Sequence, residues 1–565
     1  MNGEAVRLRP SRQPPNQGIR VITTTIRAAL IVVFSFCLIA KAMAQVPGED
    51  LPLLLTNGNI LTLDGENSVA SSLLIYRERI AAVDDESSDL AASARVIDLD
   101  GRTVIPGLMD SHMHFIRGTL RPGYDMRTIE FASSISQLVE AIDERSKSVP
   151  EGEFITGIGG WDPVQFLGEN RFPTRQELDS VATDHPVYIH LRANGPGVTN
   201  SLGKTLLEAG GIDVADNGMV AMGGGPTNAI AAFTYLKSLQ TDADRVRGTI
   251  EFMRHANSLG LTAVRDQGGT PRPGAQLFQP YKDYETLLKL WRDDDLTMRV
   301  RLMFMSSDDE VGDGTGNSGA EQRMRNAFMG FGDDMLRVAG IGENIVTDSR
   351  GPAFVSVAKI AAQRGWSLEQ HSSQPAENTA HIAAFESANE VASIADLRWT
   401  LTHVQQITPE IVQRLKTLGA GVTVQDHRYY NRGNVENNQG GPPLRMLVDA
   451  GIPIGGGTDS TNAQPMNPWY SIYYMVSGKN VGGYPVNAGQ EITRLEALKI
   501  YTLGSAWVSR DDDAFGSIEV GKFADLAVLS DNYLTVSESD IRGLSSVLTL
   551  LGGEIVYSDP AAGLD

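Results

Sequence analysis

His112 and His114 stand two residues apart in Leu108-Met-Asp-Ser-His-Met-His114, at the end of an apolar run that begins at Val104. In a strand, side chains at i and i+2 point to one face. Two imidazoles placed so can hold one metal ion at the strand's C-terminal end, and water-activating sites keep an open position beside such ligands. A bare H-x-H is also what two polar residues at a strand end look like. The rest of the chain decides between the two. Donors end four later strand-like segments: Leu336-Arg-Val-Ala-Gly-Ile-Gly-Glu343, Gly365-Trp-Ser-Leu-Glu-Gln-His371, Arg398-Trp-Thr-Leu-Thr-His403 and Gly451-Ile-Pro-Ile-Gly-Gly-Gly-Thr-Asp459. Those donors are 28, 32 and 56 residues apart, which is one, one and two strand–helix units of about thirty residues. Gly421-Val-Thr-Val-Gln-Asp-His427 fills the skipped unit. Taken singly, His371 or His403 reads as a structural histidine and Asp459 as a helix cap or Asx-turn. Taken together, they put four histidines and one or two carboxylates on one rim.

The elements that must position them alternate. Strand candidates are Phe154–Ile158, Pro186–Leu191, Leu261–Arg265, Met298–Phe304, Leu336–Ile341, Trp366–Gln370, Trp399–Thr402, Gly421–Gln425 and Ile452–Ile454. Helical patterns lie between several of them; Val246, Ile250, Met253, Ala256 and Leu259 recur at spacings of three and four. This alternation predicts an α/β fold, a (β/α)8 TIM-type barrel, whose chemistry sits at the C-terminal strand ends. Candidates exceed eight, so an insertion of about residues 118–228 is expected over the barrel mouth, with Gly195 to Gly225 as loops. Before Gly107 the pattern is short strands and tight turns, with Asn57-Gly58 as a hairpin turn. Fifty such residues are too few to stand alone. Gly521–Leu529 and Ser546–Tyr557 have the same character, so the two chain ends are expected to pair in a composite β-sandwich. The predicted division is a leader over 1–44, sandwich over 45–107, barrel over 108–512 and sandwich again over 513–565.

Composition narrows the partners. The 565 residues carry a formal charge of −21 and are 41% hydrophobic and 21% charged, ordinary for a globular protein. That acidity argues against nucleic acid or an anionic membrane surface as partner. Residues 1–44 read as a secretory signal peptide: five arginines, the apolar run Ala28–Ala40, then Ala42-Met-Ala44 before Gln45. An uncleaved anchor is the rival reading. Cleavage at Ala44–Gln45 would deliver a periplasmic or secreted chain, with no membrane contact, at −26 (six Lys/Arg and one acid leave with the leader, out of 48 and 69). Cys37, the sole cysteine, would leave too, so any metal must be held by histidines and carboxylates. A small-molecule substrate is the expected partner, and self-association into a homo-oligomer is compatible with the sequence.

The set resembles the amidohydrolase superfamily of metal-dependent hydrolases, and within it the YtcJ-like branch, amidohydrolase family 3. Val104-Ile-Pro-Gly-Leu-Met-Asp-Ser-His-Met-His114 is similar to its first-strand signature. Leu401-Thr-His403, Gly456-Gly-Thr-Asp459, Glu496–Ala506 and Gly516–Leu529 resemble later landmarks, so the likeness spans roughly residues 50 to 560. It implies His112 and His114 as the first ligand pair and His371 and His403 as the second. Asp459 would bind metal and shuttle the proton. Many relatives carry a bridging, often carboxylated, lysine after strand four; here Gly340-Ile-Gly-Glu343 offers none. Either Glu343 supplies the bridging carboxylate, or the site holds one metal and Glu343 lies behind the ligands or meets substrate. Ser372-Ser-Gln-Pro-Ala-Glu377 stands where many relatives have Gly-Asp-Arg.

The implied reaction is hydrolysis of an amide-like C–N bond, acyclic or cyclic, with one or two divalent ions, Zn²⁺ by ligand type. Asp459 acts as general base and then acid, and His403, where not itself a ligand, helps polarise the carbonyl. Trp161, Asp162, Arg192, Arg350, His427, Arg428 and Tyr430 follow strand candidates or fall in mouth loops, and are expected to shape the substrate pocket; His190 is a further candidate for its lining. Two other readings fit the same residues. One is an esterase, lactonase or phosphoesterase at this metal; the other is an exported metal- or ligand-binding protein without catalysis.

Overall fold

Gly107 divides the apolar run that leads to the histidines. A Cβ there would stand 2.2 Å from Thr262 Oγ1, so only glycine passes, and the chain changes sheets at this point. Thr103–Pro106 pairs with strands from the chain ends, whereas Leu108–Met113 (β1), buried throughout, opens a parallel sheet. The computed structural model describes residues 51–191, 195–223, 225, 227–268, 284–305, 319–346, 348–430, 441–460 and 464–564. The leader read in residues 1–44 lies outside them. Among the described residues the fold is mixed α/β, and no helix is long and apolar enough to cross a membrane.

β1 pairs in parallel with Leu261–Asp266 (β2), which pairs with Arg299–Phe304 (β3), which pairs with Leu336–Ile341 (β4). A second parallel sheet runs Glu369–Ser372 (β5), Thr400–His403 (β6), Gly421–Val424 (β7), Ile454–Gly456 (β8). An isolated parallel bridge joins Ile341 to Leu368 between β4 and β5. At the other edge Asp459 N donates to His112 O at 2.8 Å and His114 N to Ser460 O at 2.7 Å. Nearly all their residues are buried, the polar Glu369, Gln370 and Ser372 included. A helix falls between each consecutive pair from β2 onward: Glu285–Arg292, Gly319–Asn326, Pro352–Gln363, Pro375–Asn389, Pro409–Thr417 and Leu444–Ala450. Three of these begin with proline, whose missing N–H is harmless at a helix start. Val357, Ala361, Phe385 and Leu415 on these helices share one core with Val264 and Leu401 of the strands, each large apolar side chain contributing about 1.5–3 kcal/mol by burial.

Several strands begin later than the apolar pattern suggested. β5 starts at Glu369 rather than Trp366, and β6 at Thr400 rather than Trp399. Both tryptophans are buried before the ladder, and Trp399 Nε1 donates to Trp366 O at 2.8 Å. The shift brings His371 and His403 inside strands, in register with Thr402 and Ser372. The long helix Asp242–Ser258 fits its pattern, with Thr241 and Asp244 forming a capping box. Met253, Ala256 and Leu259 are buried, but Ile250 is 44% exposed.

The chain ends meet. Strands Leu53–Thr56, Leu73–Tyr76, Arg79–Val83 and Arg95–Asp98 form one sheet. Asn59–Leu61, Val69–Ala70 and Thr103–Pro106 share a six-stranded sheet with Leu526–Leu529, Ser546–Leu551 and Glu554–Ser558. Leu55, Ile60, Leu73, Ile97, Val104, Leu526 and Leu548 make a common core. Asn57-Gly58 is not a hairpin turn: Asn57 has the left-handed backbone (φ 52) expected of one, yet the strands on either side enter different sheets. A further five-stranded sheet is built from Tyr124–Asp125, Ile155–Ile158, Val187–His190, Gly197–Thr199 and Met219–Val220. Gly195 to Gly225 is therefore not all loop, since it carries two of these strands and the helix Ser201–Ala209, capped by Asn200. Gly197 is a close-approach glycine, because a Cβ there would lie 2.6 Å from the Tyr188 hydroxyl.

Candidate metal centre

Histidines from β1, β5 and β6 and carboxylates following β4 and β8 meet at one place. His112 on β1 and His114, one residue past its end, turn to the same site as their spacing requires. His114 Nδ1 lies 2.8 Å from Gly268 O, so the ring donates there and presents Nε2 inward. His114 Nε2 is 3.3 Å from Glu343 Oε1 and 3.3 Å from Asp459 Oδ1. His112 is fully buried and bonds through Nδ1 to the Glu369 carboxylate. Its Nε2 has no hydrogen-bond partner; it lies 3.6 Å from Asp459 Oδ1 and 3.7 Å from Glu343 Oε2. Across the site His371 Nδ1 is 2.9 Å from Glu343 Oε2, and His403 Nε2 is 3.4 Å from it. The two nitrogens, His371 Nδ1 and His403 Nε2, are 2.9 Å apart, and Ser373 Oγ lies 2.9 Å from His371 Nε2. Glu343 thus turns one oxygen to His114 and the other to His371 and His403.

Asp459 faces two ways as well. Its Oδ2 is 2.8 Å from His427 Nε2, whose ring centroid is 4.6 Å from that of His403. Asp459 and His403 both hold left-handed backbone (φ 51 and 70), uncommon for residues with a Cβ and concentrated at functional sites. The turn that aims Asp459 is pinned from β1: the Asp110 carboxylate accepts from Thr458 Oγ1 at 2.6 Å and from Thr458 N at 3.1 Å. Burial pushes Asp110 up to about 7 despite those bonds. Gln425 Oε1 accepts from His403 N at 3.1 Å.

The electrostatics favour positive charge at the centre. Burial alone would raise the Glu343 and Asp459 carboxyls. Histidines His114, His371 and His403 around Glu343, and His112, His114 and His427 around Asp459, reverse this and hold both well below the carboxylate range. Burial would lower His112, yet Glu369, Asp459 and Glu343 hold it well above its ordinary value. His403 is driven down to about 3, by burial first and then by His371. Nitrogen and carboxylate donors in three overlapping groups, His112/His114/Asp459, His112/Glu343/His403 and His403/His427/Asp459, each lie within 4.8 Å of one another. A buried imidazole nitrogen without a hydrogen-bond partner, facing two carboxylates, fits a divalent cation with nitrogen and oxygen preference such as zinc.

The expected substrate residues distribute differently. His427 is at the centre. Trp161 is wholly buried in the core of the five-stranded sheet, 5.3 Å from Phe172, with Nε1 donating to His190 O at 3.2 Å. His190 belongs to that sheet, with Nδ1 3.1 Å from Tyr188 Oη. Asp162 caps the turn Pro163–Gln165. Arg350 is exposed just before the helix Pro352–Gln363, and Arg428 is partly buried. Tyr430 is buried and lines a cavity of about 690 Å³ with Glu130, Tyr470 and Arg542, which none of the five clustered histidines lines. Arg192 lies outside the described residues. His381, on the helix Pro375–Asn389, bonds to Ser372 Oγ and Ser349 Oγ at 3.0 Å each, a structural role.

Some participants went unread in the sequence. Glu369 is two residues before His371 and so faces the same interior, a signal that strand periodicity could have supplied. Asp110 stands two residues before His112 and carries the same signal, whereas Arg265, which binds Glu369, carried no such local mark.

Parallel strands with intervening helices, ending in histidines and carboxylates that meet at one point, define a metal-dependent hydrolase. The chain belongs to the amidohydrolase family, and the family's profile matches residues 95–557; within it the chain falls in amidohydrolase family 3, the YtcJ-like branch, enzymes acting on carbon–nitrogen bonds. It is 26% identical over 542 residues to an N-substituted formamide deformylase of Arthrobacter pascens, covering 89% of this chain and 98% of the relative. Among solved structures, a metal-dependent hydrolase from Pyrococcus horikoshii superposes with a TM-score of 0.58 at 20% identity, covering 86% of this chain and 99% of that one. Atrazine chlorohydrolase TrzN from Arthrobacter aurescens, complexed with zinc, superposes at 0.54 with 15% identity, covering 90% and 95%.

Proposed function

We propose that this chain hydrolyses the amide C–N bond of a small N-substituted amide, a formamide first among them, using zinc held by His112, His114, Glu343, His371, His403 and Asp459. One observation carries the reading: Glu343 and Asp459 each contact histidines from more than one strand, at 2.8 to 3.7 Å. Glu343, with Oε1 toward His114 and Oε2 toward His371 and His403, would be able to help hold a second ion as well as the first. The formamide preference rests on likeness to the deformylase over 98% of its length. The strand order, the Ile341–Leu368 bridge and the β8–β1 contacts support a closed (β/α)8 barrel over 108–512. The two sheets of the chain ends support a composite sandwich, and the five-stranded sheet an insertion within 118–228. The leader of residues 1–44 supports a periplasmic or secreted location.

Bound zinc supplies Lewis acidity, making water acidic near neutral pH and polarising a carbonyl oxygen. The chain's own residues do the rest. Asp459 Oδ2 accepts the water's proton and delivers it to the departing nitrogen, with His427 Nε2 at 2.8 Å steadying the carboxylate between the two transfers. The amide C–N bond breaks, a C–O bond forms, and a carboxylic acid and an amine leave. His114, fixed by Gly268 O, and His112, fixed by Glu369, cannot rotate away from the reacting centre.

Zinc content measured on purified protein, with turnover of N-alkylformamides, the corresponding acetamides, esters, lactones and phosphoesters, tests this. Formamide cleavage lost to chelator and restored by zinc is expected. Faster ester or phosphoester turnover would replace the amide assignment, and a metal-free protein with undiminished activity would overturn the reading.

A further inference from the structure

Among the described residues, two fully buried charges lie directly behind the candidate ligands. Glu369 on β5 and Arg265 on β2 are both 0% exposed and paired, Arg265 NH1 to Glu369 Oε2. Thr400 Oγ1 donates to Glu369 at 2.9 Å and Thr423 Oγ1 at 3.5 Å. Taking two charges wholly out of water costs several kcal/mol per ion, and an apolar pair of the same volume is commonly as stable. Stability therefore does not account for this pair, but its third contact does. The other carboxylate oxygen, Oε1, meets His112 Nδ1. A carboxylate accepts only, so Nδ1 carries a proton, and a cation can take the ring only at Nε2, the atom that faces Asp459 and Glu343. Arg265 and the two threonine hydroxyls hold the Glu369 carboxylate in place against His112.

We propose that Glu369, held by Arg265, is a positioning residue that fixes the tautomer and ring angle of His112 and thereby sets the affinity of the centre for its cation. The inference rests on His112 being a ligand, as proposed above. It locates the determinant one layer beneath the ligands, on the same face of β5 as His371, so that one strand serves both halves of the site: His371 at its mouth and, through Glu369, His112 on β1.

Two double variants separate positioning from packing. Glu369→Gln with Arg265→Met keeps an oxygen that accepts from Nδ1 and leaves no buried charge. Glu369→Leu with Arg265→Met removes the acceptor at similar volume. Zinc dissociation constants are read by chelator competition, with circular dichroism and Tm as folding controls. The Gln variant is expected to bind zinc close to wild type and the Leu variant roughly 10- to 100-fold more weakly, the usual cost of losing such a partner. Equal affinity in the two doubles, with His112→Asn still weakened, overturns this inference alone; unchanged affinity in His112→Asn overturns the ligand reading and this inference with it. Should the Leu variant not fold, a crystal structure of the zinc-loaded wild type decides: Nε2 of His112 on the ion with Nδ1 on Glu369 supports the assignment, and Nδ1 on the ion overturns it.

Discussion

Glu343→Gln is the most direct probe of whether one carboxylate serves both halves of the site. Its oxygens lie 3.3 Å from His114 Nε2, 2.9 Å from His371 Nδ1 and 3.4 Å from His403 Nε2. Glutamine keeps the volume but removes the charge and turns an NH₂ toward one set of nitrogens. At an effective dielectric of about 20, one unit charge at about 4 Å is worth about 4 kcal/mol, or nearly three decades of affinity at 1.36 kcal/mol per decade. A divalent ion enlarges the effect; water reaching His371, whose side chain is 37% exposed, diminishes it. A loss of about 10³-fold is the expectation. It should fall unevenly. The His112/His114 pair keeps Asp459 at 3.6 and 3.3 Å, whereas the His371/His403 pair loses the carboxylate nearest it. Zinc per chain, measured by mass spectrometry after dialysis against chelators of graded strength, should drop from two in wild type to one in the variant. Unchanged stoichiometry and affinity would refute the bridging role of Glu343, and one zinc in both proteins would refute the two-ion site.

Asp459→Asn should retain zinc through its remaining Oδ1 yet lose roughly 10²–10⁴-fold in kcat, the range for a general base; kcat near wild type would remove Asp459 from that role. Trp161→Ala should cost about 3–5 kcal/mol of stability, as for any buried aromatic, and leave KM of the folded fraction unchanged; a raised KM would return Trp161 to the substrate pocket. Glu496, gripped at both oxygens by Arg445 at 2.9 Å, is held down to about 2 in the folded chain. A depressed carboxylate stabilises above its unfolded value and ceases to as pH falls through the folded one. The Tm advantage of chelator-treated wild type over Arg445→Met should therefore be full at pH 6 and close between about 4.5 and 2; a gap that persists at pH 2 would show that packing, not charge, carries it.

What the sequence disclosed about the site is what strand geometry makes local. His112 and His114 declare a shared face by spacing alone, and the donors at 343, 371, 403 and 459 follow from the repeat of strand and helix. The partners that orient them are long-range: Arg265 is 104 residues from Glu369, and Glu369 is 257 from His112. No periodicity in the chain encodes such a contact. Local turn chemistry has the same limit. Asn57 takes the backbone that an Asn-Gly turn demands, but the neighbouring strands find their partners elsewhere: Leu53–Thr56 pairs with Leu73–Tyr76 and Arg95–Asp98, and Asn59–Leu61 pairs with Thr103–Pro106.

Trp161 shows why residues past strand ends converge in one sheet and not in another. Ile155–Ile158 ends in Gly159-Gly-Trp-Asp162, punctuated much as Ile454–Gly456 is by Gly457-Thr-Asp459. Both turns use left-handed backbone, at Gly159 and at Asp459. The difference lies in the partners. β8 stands beside β1, so the residue after its glycines meets His112 and His114. Ile155–Ile158 stands between Tyr124–Asp125 and Val187–His190, and the residues after its glycines fold back on their own sheet, where Trp161 Nε1 reaches His190 O. A polar or aromatic residue past a strand end marks chemistry only when neighbouring strands bring their own donors to the same point. Here those donors are the second histidine pair, which is why His371 and His403 carry more information about function than the motif that first drew attention to β1.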